Sequence, residues 1–291
     1  KAAGYKWIWV VEPTAEMVSY PLNKSPSGKK AIPLLPCILQ KNDTPVPEVN
    51  AIEEKELQKG PQRILYDGSL EEIDPESWPD LFEPAFLEKN NLVNSTAAGR
   101  GQVYFFSRGS LELVLRHYRR GGLLGKFISD CYLGFSPRGS RPFREWRLLR
   151  KLCELGLPVP RPAAARIIRG PGFYRGDLVT LEVKNAAALS ALLQKKPLGE
   201  EGWQTVGRTI RRFHDQGVSH PDLNAANILL RDMEVFLLDF DKGSIRPDGS
   251  WKRAQLERLQ RSLEKWQGQA DTFHFSQPDW EALVAGYKTS N

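Results

Sequence analysis

Cysteine and histidine are scarce in this 291-residue chain. The three cysteines, Cys37, Cys131 and Cys153, stand far apart with no C-x-x-C, and the four histidines are scattered. That spacing argues against a zinc site and against a disulfide framework, and it fits a reducing compartment. Long apolar runs are missing as well. A spanning helix needs about 18 consecutive apolar residues or more, whereas the longest candidate here, Ala31 to Leu39, carries two prolines. The chain begins at Lys1 and not at methionine, which is compatible with a removed leader or upstream segment.

What is present is the ordinary balance of a globular protein, 41% hydrophobic and 26% charged, long enough for one large or two ordinary domains. The net charge of +6 suits an acidic partner such as nucleotide phosphates or an anionic membrane. It suits nucleic acid only weakly, and no recognition motif accompanies it, so no nucleic-acid partner is expected.

Residues 1–60 differ from the rest. Tyr5 to Val11 reads as a strand, but prolines at 13, 21, 26, 33, 36, 45 and 47 then exclude long helices, and Glu53-Glu54-Lys55-Glu56 resembles a charged linker or short helix. This extension carries no nameable chemistry. From about residue 61 the chain reads as α+β. A strand and turn at Ile64–Gly68 and a short helix over Pro79–Leu87 come first. A glycine turn, Gly99-Arg100-Gly101, then enters a strand to Phe106, followed by a strand over Leu111–Tyr118. Pro142 to Leu155 predicts a helix with Trp146, Leu149, Leu152 and Cys153 on one face and Gly156 as its stop. A strand at Leu178–Val183 and a helix with Val206, Ile210 and Phe213 inward lead to the most informative segment. A last helix, Trp251–Trp266, carries Leu256, Leu259, Leu263 and Trp266 as a stripe suited to core packing or, less often, to a membrane surface.

The informative segment is His220-Pro221-Asp222-Leu223-Asn224-Ala225-Ala226-Asn227, followed by Ile228-Leu229-Leu230 and by Leu237-Leu238-Asp239-Phe240-Asp241. As H-x-D-x-x-x-x-N plus an apolar-flanked D-F-x, it matches the centre of protein-kinase-like phosphotransferases. An acceptor hydroxyl needs a carboxylate to orient it and take its proton, the role of Asp222. Nucleotide phosphates need Mg²⁺ held by an amide oxygen and a carboxylate, the roles of Asn227 and Asp239. The five residues from Asp222 to Asn227 make a turn, and the twelve on to Asp239 make a tight hairpin that returns the second carboxylate to the same cleft. Gly99 and Gly101 would let backbone N–H groups approach the ATP phosphates. The expected architecture is a two-lobed kinase-like domain over about 61–291. Its N-lobe covers about 61–183 and its C-lobe about 184–291, with the nucleotide between them.

Five segments carry a narrower resemblance: Ala98-Gly99-Arg100-Gly101, Val114 to Gly122 (V-L-R-H-Y-R-R-G-G), Arg141 to Trp146 (R-P-F-R-E-W), Gly156 to Pro162 (G-L-P-V-P-R-P), and His220 to Leu230 with Leu238 to Lys242. Together they resemble the lipopolysaccharide core kinases of Gram-negative bacteria, and within them the 3-deoxy-D-manno-octulosonic acid (Kdo) kinases. The likeness spans about Gln62 to Tyr287 and omits residues 1–60. It implies ATP-dependent phosphorylation of the 4-OH of Kdo on a lipid A precursor, at the cytoplasmic face of the inner membrane. Composition and spacing alone reach only a kinase-fold phosphotransferase. Another acceptor (a core heptose, a small molecule or protein Ser/Thr) or a non-catalytic scaffold remains open at this stage.

The pattern departs from common protein kinases in places. Arg116 stands where V-A-I-K has lysine and is assigned to the phosphates, with Lys126 as the alternative; Glu145 is its expected ion-pair partner. Pro221 replaces the arginine of H-R-D and no A-P-E follows Asp239, so activity independent of loop phosphorylation is expected. Asp241 replaces the glycine of D-F-G, as a third metal-side acid or a turn former. An acceptor bearing a carboxylate and phosphates needs cationic clamps, for which Arg119, Arg120, Lys126, Arg138 and Arg141 are candidates. With Leu123, Leu124 and Phe127 interleaved, the same stretch suits an anionic membrane surface.

Overall fold

The computed structural model describes residues 51–98, 102–118, 132–133, 139–170 and 173–289. Most of the 1–60 extension lies outside these residues, as do Gly99, Gly101, Arg119, Arg120, Lys126 and Arg138.

Antiparallel pairing builds the first half. The strands are β1 (Glu54–Lys59), β2 (Gln62–Asp67), β3 (Val93–Ala98), β4 (Gln102–Arg108), β5 (Leu111–His117), β6 (Tyr132–Leu133), β7 (Pro162–Gly170) and β8 (Phe173–Leu181). Their order in the sheet is β1-β2-β7-β8-β5-β4-β3, with β6 beside β8. Glu54–Lys59 is thus a strand paired residue by residue with Gln62–Asp67, and neither linker nor helix. Its charges do not prevent pairing, because an edge strand keeps most of its side chains in water and Lys and Glu there discourage edge-to-edge association.

Alternation along β2 shows how the sheet is covered. Ile64 and Tyr66 face one cluster with Trp78, Leu81, Phe82 and Leu87, while Leu65 faces another with Phe143, Trp146 and Leu149. Two short helices, α1 (Trp78–Leu81) and α2 (Pro84–Lys89), therefore cover one face, and α3 (Arg141–Glu154) covers the other. Each fully buried large side chain stabilises the fold by about 1.5–3 kcal/mol. The single helix expected over Pro79–Leu87 is divided, because Pro84 drives Glu83 into extended geometry (φ −100°, ψ 111°). Helix α3 ends as expected, with Gly156 at φ +65° in the left-handed region.

The second half is mainly helical: β9 (Ala187–Ala188), α4 (Leu189–Leu192), α5 (Glu200–Asp215), β10 (Val218–Ser219), β11 (Ile228–Arg231), β12 (Glu234–Leu237), β13 (Ser244–Ile245), α6 (Trp251–Gln267) and α7 (Gln277–Lys288). Trp203, Val206, Ile210 and Phe213 of α5 are buried, and Leu259 and Leu263 of α6 join the same core, so the α6 stripe packs inward. Helices α5 and α7 meet backbone to backbone. A Cβ at Gly207 would lie 2.0 Å from the Leu283 carbonyl oxygen, and one at Gly286 would lie 2.1 Å from that of Gln204. Among the described residues no helix is long and apolar enough to cross a membrane.

Candidate active site

The loop from His220 to Asn227 leaves β10, closes in a single 3₁₀ turn (Ala225–Asn227) and enters β11. Its shape comes from its own polar side chains. The Asn224 carboxamide accepts from the Ala226 N–H (2.9 Å) and donates to the Asp222 carbonyl (2.7 Å), which also accepts from the Asn227 carboxamide (3.0 Å). These local bonds make both asparagines turn formers.

Pairing of β11 with β12 returns the chain to the loop, Ile228 opposite Leu237. Leu238 then joins both motifs: its N–H donates to the Asn227 carbonyl (2.9 Å), and its carbonyl accepts from His220 Nε2 (2.6 Å). Burial holds the His220 imidazole below its usual pKa, so the neutral ring with hydrogen on Nε2 fits this contact. Phe240 stacks on Phe213 and leans on His220, anchoring D-F-D in the core. Asp239 is held at φ +62°, a sparsely populated conformation of the sort that persists where the surroundings dictate it.

Across the cleft, Arg116 on β5 donates to Glu145 of α3 (Nη2 to Oε1, 2.6 Å) and to Asp239. The Tyr118 hydroxyl donates to the other Glu145 oxygen, and the Arg116 guanidinium lies over the Tyr118 ring (5.2 Å). Burial opposes the charge on Arg116, but Asp239 and Glu145 outweigh it and hold the guanidinium protonated. Burial pushes the Glu145 carboxyl up, against the pull of Arg116. Asp241 pairs with Arg141, the first residue of α3 (Oδ1 accepting from Nε at 2.8 Å). Both ends of the D-F-D segment are therefore tied to the N-terminal half.

These groups surround a cleft of about 510 Å³, with Arg116, Glu145, Asn227 and Asp239 in its walls and Val114 and Leu238 as apolar faces. A second cavity of about 400 Å³ shares Val114, Pro160, Thr180 and Leu238 and runs on to Glu182 and Val183. An apolar slot beside a polar pocket suits a planar base joined to phosphates. Asp222 does not line the cleft itself; it stands on the adjoining loop, its carbonyl bonded to Asn227.

One amide oxygen and one carboxylate suit a hard cation bound together with substrate phosphates. Among the described residues no group of three or more His, Cys, Asp or Glu side chains could hold a metal ion, so these donors would share the ion with its substrate. Sequence reasoning missed Tyr118 as the second donor to Glu145 and missed Arg258 of α6, which donates to the Asp222 carboxylate. Tyr118 sits two residues from Arg116 and was within reach of strand alternation, whereas Arg258 is 36 residues from its partner and gave no local signal. Cys153 on α3 is an inert thiol, pushed by burial to about 11.

Residues 85–287 match the family described as "Lipopolysaccharide kinase (Kdo/WaaP) family". The chain belongs to this family. The match includes every described site residue, from Arg116 to Asp239, and leaves out β1, β2 and α1. Family membership makes the chain a kinase, a phosphotransferase that takes ATP. Curated relatives named 3-deoxy-D-manno-octulosonic acid kinase are similar over most of its length. That of Photobacterium profundum is 41% identical over 228 residues, covering 78% of this chain and 95% of the relative. That of Haemophilus influenzae is 42% identical over 217 residues (72% and 90%), and that of Vibrio cholerae 40% over 205 (70% and 86%). A solved structure, "WaaP in complex with acyl carrier protein", aligns at 17% identity with a TM-score of 0.47, over 74% of this chain and 86% of that one.

Proposed function

We propose that the chain transfers the γ-phosphoryl group of ATP to a hydroxyl of Kdo, the 4-OH, on a lipid A precursor in lipopolysaccharide core biosynthesis. The observation that carries the catalytic half of this reading is the Arg116–Glu145–Asp239 array closed across one cleft beside the Asp222 loop. The acceptor comes from the relatives' printed name.

In this reading the base of ATP enters the slot between Val114 and Leu238, and its phosphates point toward Arg116, Asn227 and Asp239. Asp222 takes the proton of the acceptor O–H as that oxygen bonds to the γ-phosphorus. The bond from phosphorus to the β–γ bridging oxygen breaks, leaving ADP and a sugar phosphate. Asn227 and Asp239 would hold Mg²⁺, which when bound neutralises charge across the β- and γ-phosphates. Arg116, already fixed by Glu145, is pre-oriented for phosphate, so little ordering accompanies binding. The contacts that seat α3, from Arg116 to Glu145 and from Arg141 to Asp241, are made by unmodified side chains, which favours activity without phosphorylation. Because the acceptor is lipid-linked, we place the enzyme peripherally on the anionic cytoplasmic face of the inner membrane. Co-sedimentation with anionic but not neutral vesicles tests that placement.

The experiment for the reaction is incubation with γ-labelled ATP and Mg²⁺ and a panel of lipid A precursors with and without Kdo. Label on the Kdo-bearing acceptor alone is the expected result. Label on another acceptor alone would keep the kinase and discard the sugar.

A further inference from the structure

The relatives' substrate is by name an acid, so the acceptor sugar of the function proposed above carries a carboxylate. The loop His220–Asn227 contains no Lys or Arg to meet it, and His220 is buried and held neutral. The cation beside the base comes from α6. Arg258 donates from Nη2 to Asp222 Oδ1, and with side chains 42% and 29% exposed the pair faces solvent, where an acceptor would arrive.

Helix α6 is fixed against the loop at one-turn intervals. Gln255 accepts from the His220 N–H (3.2 Å) and donates to Ser219 Oγ (2.8 Å), and Ser262 accepts from the Ala225 N–H (3.3 Å). Leu259 and Leu263, beside them on the helix, are fully buried. Positions 255, 258 and 262 therefore share the face turned to the loop. A guanidinium presents five N–H donors in a rigid fork, and its plane matches a carboxylate. Here one donor goes to Asp222 and Nε is buried without a partner, which leaves the Nη edge for a ligand.

Resting on the function proposed above, we infer that Arg258 is the residue that recognises the acceptor's carboxylate. It binds that group while holding Asp222 Oδ1, which leaves the second Asp222 oxygen to take the proton of the hydroxyl. One side chain would thus register the sugar against the base.

The test compares the full-length protein and its variants on the Kdo-bearing lipid A precursor and on the same acceptor with its Kdo carboxylate methylated. Wild type is expected to prefer the free acid by about 10- to 100-fold in kcat/KM, the scale of one charge-assisted hydrogen bond. Arg258→Gln should lose that preference, chiefly through the acceptor KM and with the KM for ATP unchanged. Arg258→Lys should regain part of it, and Arg253→Gln, on the exposed side of the same helix, should keep all of it. An equal loss on both acceptors in Arg258→Gln, with the preference intact, would overturn the proposal and leave Arg258 as a support for Asp222. If that variant is too slow to assay, equilibrium binding of the two acceptors to Asp222→Asn and to Asp222→Asn/Arg258→Gln reads the same preference. Its survival in the double variant would overturn the proposal equally. Wild type that turns over ATP but phosphorylates neither acceptor would overturn the Kdo reading first, and this inference with it.

Discussion

The two ends of the cleft are wired differently. At the end proposed for the nucleotide, Arg116, Glu145 and Asp239 satisfy one another in a largely buried array, their side chains 16%, 2% and 21% exposed, and Tyr118 closes it. At the end proposed for the acceptor one pair, Asp222 with Arg258, stands partly in water on a loop held by α6. Electrostatic interactions are strong where water is excluded and weak where it is not. In the function proposed above, the first end is thus preorganised for the nucleotide common to all kinases, while the second keeps its charges accessible to a specific acceptor.

The largest expected effect breaks the acceptor end without touching the other. Asp222→Ala should lower kcat by about 10²–10⁴-fold, the contribution of a positioned base, while thermal stabilisation by ATP–Mg²⁺ persists. Loss of that stabilisation as well would mean that the two ends are one unit. Next, Arg116→Met should do the reverse and cost stability. Removing the cation leaves the buried Glu145 carboxylate, and the partly exposed Asp239 beside it, uncompensated, at about 3–5 kcal/mol by chemical denaturation. Adding Glu145→Gln should recover part of that loss, and failure to do so would show that packing, not charge, holds the array.

Away from both ends, Gly207→Ala should destabilise by about 1–3 kcal/mol or more, because neither helix backbone can yield to a Cβ 2.0 Å from the Leu283 carbonyl oxygen. It should weaken ATP binding and acceptor binding no more than this global loss requires. A smaller effect sharpens the comparison through pH. His214 bonds to Gln255, the residue that fixes the His220 N–H, and burial lowers its pKa from 6.5 to about 4. Because its folded pKa lies below its unfolded one, the unfolded chain binds the extra proton. The stability linked to His214 is therefore complete above pH 6.5 and lost as pH falls toward 4. Stability measured across that range should fall in wild type and be flatter in His214→Asn. The smallest expected effect is none: phosphatase treatment should leave the rate unchanged.

The same contrast explains what was legible in the sequence. Asp222, Asn227 and Asp239 announce themselves because a turn and a hairpin of fixed length join them, and Glu145 because a helix period frames it. Strands β3 and β7 gave no such signal. Ala164 and Ala165 have weak strand preference, and they form a strand because β2 and β8 pair with them from both sides. Leu256, Leu259 and Leu263 suggested α6 but not that its polar residues Gln255, Arg258 and Ser262 hold the loop His220–Asn227. That contact exists only once the helix has folded back over 35 to 37 residues of chain.

The most direct test of the central claim is phosphate incorporation from γ-labelled ATP into a Kdo-bearing lipid A precursor by wild type and Asp222→Ala, assayed side by side. The expected result is label on the sugar with wild type and its near-complete loss in a variant that still binds ATP. Equal labelling by both proteins, or no labelling by wild type while it binds ATP, would contradict it.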